Sequence, residues 1–213
     1  MITLVGQYDS PYVRRVAVSL HLLDVRFEHS PLSVFGDAEA MRALNPVGRV
    51  PAVILDDGEV LVDSWAILDW LDETVGPERA LLPPSGPARR RALRLVAHAT
   101  GAADKAIQLA YETILRPAEH RWADWVERCR LQALTAMDAL EREVRRDQGW
   151  LGGERIGQAD ITTACMLGYC EIAVPDLVLP DRHPALRALG DRCDGLEAFR
   201  ATKPAAYVVP KAD

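Results

Sequence analysis

The stretch "VPAVILDDGEVLVDS", residues 50–64, reads as two short strands around Asp57-Gly58, a strong two-residue hairpin signal. It runs into "SWAILDWLDETVG", a helix with Ser64 as its cap and Gly76 just past its end. Working upstream, Asn45-Pro46 closes a short helix over 37–44, and Val25-Arg26-Phe27-Glu28 alternates apolar and charged residues as a strand does. Residues 11–23 carry apolar side chains at helical spacing, and Ile2-Thr3-Leu4-Val5 reads as a buried strand. The order is βαβ, then α, then ββα. A strand-helix-strand unit implies a parallel pair with a right-handed crossover, and the hairpin adds antiparallel neighbours.

This order resembles the thioredoxin-like arrangement, an α/β fold with a mixed four-stranded sheet and helices on both faces. Residues 1–76 make that domain. "GPERALLPPSGPA", residues 76–88, is rich in proline and glycine, so 77–87 reads as a linker. From 88 to 213 the chain reads as an all-α domain. Small or apolar residues at 92, 96, 99, 103, 106, 110 and 114 form one helical stripe. A second stripe runs through Trp122, Val126, Cys129, Ala133, Met137, Leu140 and Val144, with Arg116-Pro117 between the two. Residues 158–173 form a very apolar helix, and "HPALRALGDRC" a further one opening on Pro184.

Composition narrows the class. Of 213 residues, 49% are hydrophobic and 26% charged, as in soluble globular proteins, and no apolar run approaches the roughly 20 residues that span a bilayer. A net charge of −6 argues against a general nucleic-acid binder. The N-terminus has no signal-peptide pattern, and the cysteines, 129, 165, 170 and 193, form no Cys-x-x-Cys pair. Reduced thiols in a cytoplasmic protein fit best. The histidines show no metal-type spacing, so no metal is expected.

Two helix starts carry chemistry. Ser10-Pro11 stands where the first strand hands over to a helix. Ser10 is either an ordinary N-cap or a hydroxyl facing an anion or thiolate at the helix N-terminus. Asp63-Ser64 begins the third helix, whose free N–H groups and partial positive charge suit a carboxylate, while Asp63 suits an ammonium. A ligand with both groups on one carbon is an amino acid. Between them lies "NPVGRVPAVI", residues 45–54, with a proline at the head of an apolar strand, where it removes a ladder hydrogen bond.

Ser10-Pro11-x-x-Arg14-x-Val16, then Asn45-Pro46-x-Gly48-x-Val50-Pro51, then Asp63-Ser64-x-x-Ile67-x-x-Trp70-Leu71, resembles the cytosolic glutathione transferases. The likeness is to bacterial members with a serine-type "SPFVRK" start. It implies a cis bond before Pro51, with the Val50 backbone pairing with the cysteinyl part of glutathione. It implies Asp63 and Ser64 at the γ-glutamyl end, Arg49 near the glycyl carboxylate, and Ser10 donating to the sulfur. A free thiol has a pKa of roughly 8.5. Lowering it by about two pH units takes ~2.7 kcal/mol, within reach of one hydroxyl bond and several helix amides. Should Ser10 prove only a cap, Tyr8 or Tyr12 are alternative donors. Asp9 beside it would oppose an anion unless its side chain turns away.

The resemblance further implies a homodimer that conjugates glutathione, as co-substrate, to a small hydrophobic electrophile in detoxification. On the first long helix Asp104 reaches glutathione across the dimer or is a solvated acid. Phe35, Gln108 and Tyr111 are electrophile-pocket residues or core packing. Residue 10 is not Cys and the "SSCS" start of maleylacetoacetate isomerases is missing. In "IGQADI", residues 156–161, Gly157 stands where a Ser or Thr cap is usual, with Asp160 still able to reach back. A regulatory glutathione-binding protein, or a peroxidase or dehalogenase, are the competing readings.

Overall fold

The computed structural model describes residues 1–147, 149–179 and 181–204. They divide into two compact units: Met1–Pro84 with the described residues from Gly195 onward, and Ser85–Asp194. Residues 205–213, at the end of the expected helical domain, lie outside the described residues.

In the first unit β1 (Ile2–Val5), α1 (Pro11–Leu22), β2 (Phe27–Ser30), α2 (Ala38–Leu44), β3 (Ala52–Ile54), β4 (Val60–Val62) and α3 (Ser64–Val75) follow in order. The sheet runs β2-β1-β3-β4, with β1 and β2 parallel and the other pairs antiparallel. Alternation along the strands splits the core. Val5 and Ala52 pack with Met41 of α2, while Leu4 and Val53 are buried on the other side of the pleat.

Two local expectations shift. The strand expected at 25–28 begins two residues later, because Asp24 takes φ 54° and the Val25 N–H closes α1 by donating to Leu20 O at 2.9 Å. The hairpin turn is three residues, not two. Leu55 N–H donates to Glu59 O at 2.8 Å, leaving Asp56, Asp57 and Gly58 to turn the chain, with Gly58 at φ 91°.

The proline-rich segment is tethered. Asp72 of α3 accepts from Leu81 N–H at 2.8 Å and Leu82 N–H at 3.2 Å, and Ala80, Leu81 and Leu82 are buried. At the other end of the chain, α8 (Glu197–Ala201) belongs to the first unit, whereas the sequence reading placed it in the helical domain. Phe199 is its anchor: its ring lies 5.5 Å from the Arg14 guanidinium, which also donates to Phe199 O at 3.4 Å.

The second unit is helical: α4 (Gly86–Ile114), α5 (Ala123–Asp147), α6 (Gln158–Ala173) and α7 (Pro184–Asp194). At 29 residues α4 is about 43 Å long. Its stripe from Ala92 to Ala110 is buried, as is the α5 stripe from Cys129 to Val144. Trp122 is the exception: it precedes α5 and is 65% exposed, because Pro117 stops α4 and the connection runs on to Ala123. α6 is enclosed on almost every side, with Ile161, Met166 and Cys170 fully buried. Its start keeps only the reach-back half of a capping box, since Gly157 has no side chain to accept: the Asp160 carboxylate accepts from Gly157 N–H at 2.9 Å and also from Leu151 N–H at 2.8 Å. α7 is capped from a distance. Buried Glu141 on α5 accepts from Ala185 and Leu186 N–H at 3.1 and 2.8 Å. Burial pushes its carboxyl up, but those bonds and Arg145 outweigh it, so the net shift is downward.

Candidate active site

The turn from β1 into α1 depends on Gly6. Its φ of 126° is one that side-chain-bearing residues rarely adopt, and an added Cβ would sit 2.6 Å from Val13 Cγ2 and 2.9 Å from Val50 Cβ. Gly6 therefore lets α1 and the residue before Pro51 approach one another. Gly6→Ala is expected to cost about 2–3 kcal/mol in urea denaturation, since it combines backbone strain with overpacking. A loss within experimental error would show that the contact relaxes freely.

Beyond Gly6, Ser10 caps α1. Its Oγ accepts from Val13 N–H at 3.4 Å, longer than a well-formed bond. A hydroxyl that accepts keeps its proton to donate, so the cap and a sulfur-facing role are compatible in one side chain. Two neighbours bear on an anion here. Burial pushes the Asp9 carboxyl up from its usual range, against backbone hydrogen bonds from Ser10 and its own N–H. Burial also raises the Tyr8 phenol, keeping it a neutral donor.

The Val50–Pro51 peptide is cis. The loop before it is built on Asn45, which donates to Arg49 O at 2.9 Å and accepts from Val47 N–H at 3.1 Å, while Gly48 turns at φ 67°. Arg49 is exposed and Val50 half-buried.

At the third helix the cap is Asp63, not Ser64. Asp63 Oδ1 accepts from Trp65 N–H at 2.8 Å, and its φ of 60° is a strained value for a residue with a side chain. Ser64 is the first helical residue, 2% exposed, and its Oγ accepts from the Arg15 guanidinium at 2.7 Å. Arg15 is fully buried and stacks 4.9 Å over the Trp65 ring. Sequence reasoning overlooked it. The available signal was a cation inside a helix whose neighbours, Val13 to Leu20, are all core. Arg15 ties α1 to α3, so the Ser10 and Ser64 helix starts are joined through one side chain.

The remaining candidates divide between the two units. Phe35, in the first unit, is 37% exposed. In the second unit Asp104 and Tyr111 are exposed on α4. Gln108, expected to face a pocket, has its Oε1 engaged by Lys105 Nζ and Cys129 Sγ, each at 3.4 Å, and so turns toward α5. All four cysteines are free and buried, and burial pushes the Cys170 thiol up to about 12. Among the described residues no cluster of His, Cys, Asp or Glu could hold a metal ion, and no helix is long and apolar enough to cross a membrane.

A mixed sheet of this order with a cis peptide ahead of β3, continued by an all-helical unit, defines a thioredoxin-like domain joined to a helical domain. The N-terminal domain of the glutathione S-transferases matches residues 4–79, and their C-terminal domain residues 123–189. The chain is 33% identical to the maleylacetoacetate isomerase of Pseudomonas aeruginosa, over 93% of each sequence. It is 30% identical to a probable glutathione S-transferase of Oryza sativa subsp. japonica, over 98% of this chain and 88% of that one. A glutathione transferase family member from Pseudomonas fluorescens Pf-5, solved with bound glutathione, superposes with a TM-score of 0.86 at 35% identity, covering 97% of this chain and all of that one. The chain belongs to the glutathione S-transferase family.

Proposed function

We propose that this protein is a glutathione transferase that conjugates glutathione to a small hydrophobic electrophile. The observation that carries the reading is the joining of three ligand-competent features in one unit. The first turn of α1 and the cis Val50–Pro51 turn both close on Gly6, and the Ser10 helix start reaches the Ser64 helix start through Arg15. Asp63 pairs with the γ-glutamyl ammonium. Ser64, accepting from Arg15, donates its own proton to the neighbouring carboxylate. The Val50 backbone pairs with the cysteinyl amide, Arg49 lies nearer the glycyl carboxylate, and Ser10 donates to the sulfur. The thiol loses its proton to solvent and the sulfur lone pair forms a C–S bond at the electrophilic carbon. The leaving group departs with its bonding pair, or an added double bond takes up a proton.

The isomerase named among the relatives supports a second reading. There the thiolate adds to an activated double bond, the resulting single bond turns, and the sulfur is eliminated unchanged. The transferase is favoured by Asp9-Ser10-Pro11-Tyr12 at the head of α1, where the isomerases carry an "SSCS" start. Incubation with glutathione and a chloronitroaromatic should consume one thiol per product and release chloride. Turnover of a cis-alkenoic diacid with no net loss of glutathione would establish the isomerase instead.

Ser64→Ala is expected to weaken glutathione binding about tenfold by calorimetry, since it removes a hydrogen bond to a charged group together with the acceptor of Arg15. Unchanged affinity would remove Ser64 from the site. We also propose a cytoplasmic homodimer, to be checked by light scattering at micromolar concentration; a monomer mass would reject it.

A further inference from the structure

We propose that His29 is a positioning residue for the reaction, clamping the turn that carries Ser10. This rests on the glutathione reading above. The turn is short: four residues, Gly6 to Asp9, separate β1 from Ser10. Its first residue stays in register with β2, since Gly6 N–H donates to Ser30 O at 2.9 Å. At φ 126° Gly6 then leaves the strand direction, and its carbonyl is met by a side chain. His29 Nε2 lies 2.8 Å from Gly6 O. A carbonyl only accepts, so Nε2 carries the proton and donates.

The same imidazole lies flat on the Tyr8 ring, with centroids 4.0 Å apart and planes 2° from parallel. Ser10 N–H closes the turn on Gln7 O at 3.2 Å. The donor bond therefore holds the start of the turn and the stacked ring holds its middle, both from one residue on β2. His29 itself is solvent-exposed and outside the core. Its geometry serves the turn more than the packing of the unit. A hydroxyl that stabilises a thiolate must be placed closely, because a displacement of about 1 Å at a reacting group costs on the order of a hundredfold in rate.

Three variants separate the two contacts. His29→Phe keeps a ring for Tyr8 and removes the donor. His29→Gln keeps a donor at the Nε2 position and removes the stack. His29→Leu removes both. The readouts are the pH titration of thiolate absorbance in the glutathione complex, kcat and KM for glutathione, and hydrogen exchange of the Gln7–Ser10 amides without ligand. His29→Leu is expected to speed that exchange about tenfold or more, raise the bound-thiol pKa and lower kcat about tenfold, with KM for glutathione changed less than twofold. His29→Phe and His29→Gln should fall between it and the wild type. Exchange and thiol pKa that match the wild type in His29→Leu would overturn the proposal, as would a loss seen only as a raised KM. If the wild type holds no thiolate, the glutathione reading and the positioning role of His29 in the reaction both fail. Accelerated exchange in ligand-free His29→Leu would then still identify the clamp.

Discussion

Ser10→Ala raises the pKa of bound glutathione by about one to two pH units and slows conjugation at neutral pH roughly ten- to a hundredfold, if the hydroxyl donates to the sulfur. A hydrogen bond to an ionised partner is worth roughly 1.5–3 kcal/mol, which sets that range. The cost to folding should sit near the bottom of the ~0.5–2 kcal/mol span for lost caps, because the Val13 bond is long at 3.4 Å. Affinity for glutathione should change little, since in the proposed binding mode Ser64 and Asp63 hold the other end of the tripeptide. The check is a thiolate titration of wild type and variant side by side. Equal pKa values would leave Ser10 as a cap alone and move the donor role to the α1 amides or to Tyr8, whose half-buried phenol stays protonated.

Asp160→Ala has the largest expected effect on stability. It strips the acceptor from the Gly157 and Leu151 N–H groups, the latter bond wholly buried, at the head of the most enclosed helix. Each orphaned donor costs about 1–3 kcal/mol, so a loss of roughly 3–5 kcal/mol is expected in urea denaturation. Asp160 also leaves a pH signature. Burial is the dominant cause of its shift, against backbone hydrogen bonds from Leu151, Gly157 and its own N–H and the charge of Arg192, and it lifts the carboxyl from 3.8 to about 6. A folded-state value above the unfolded one favours the fold while the group is protonated. That contribution is complete below pH 3.8 and fades as pH rises through about 6. Asp160→Asn does not titrate, so its deficit relative to wild type should shrink by about 2 kcal/mol between pH 4.5 and 7.5. A deficit independent of pH would mean that Asp160 is ionised throughout.

Much of the chain was legible because its signals are local. Helix α6 was read at 158–173 and runs Gln158–Ala173, since an apolar run and a reach-back from Asp160 lie within a few residues of each other. The α4 and α5 stripes were likewise plain at helical spacing, and the turn around Asp57-Gly58 was placed correctly though one residue short. The β2 boundary was missed because the Val25 N–H is spent on closing α1, which alternation alone does not reveal.

The sequence by itself determined which residues head the helices and which proline heads β3. It named Ser10, Val50, Asp63 and Ser64 by residue type and order. Only the tertiary structure decided how they are held. Arg15 and Ser64 are 49 residues apart, His29 and Gly6 are 23 apart, and Glu141 caps a helix 44 residues further on. Periodicity reports which face of an element is buried, not which distant partner meets it. The polar atoms on those faces need partners once water is excluded, and the packing of whole elements selects which atoms supply them.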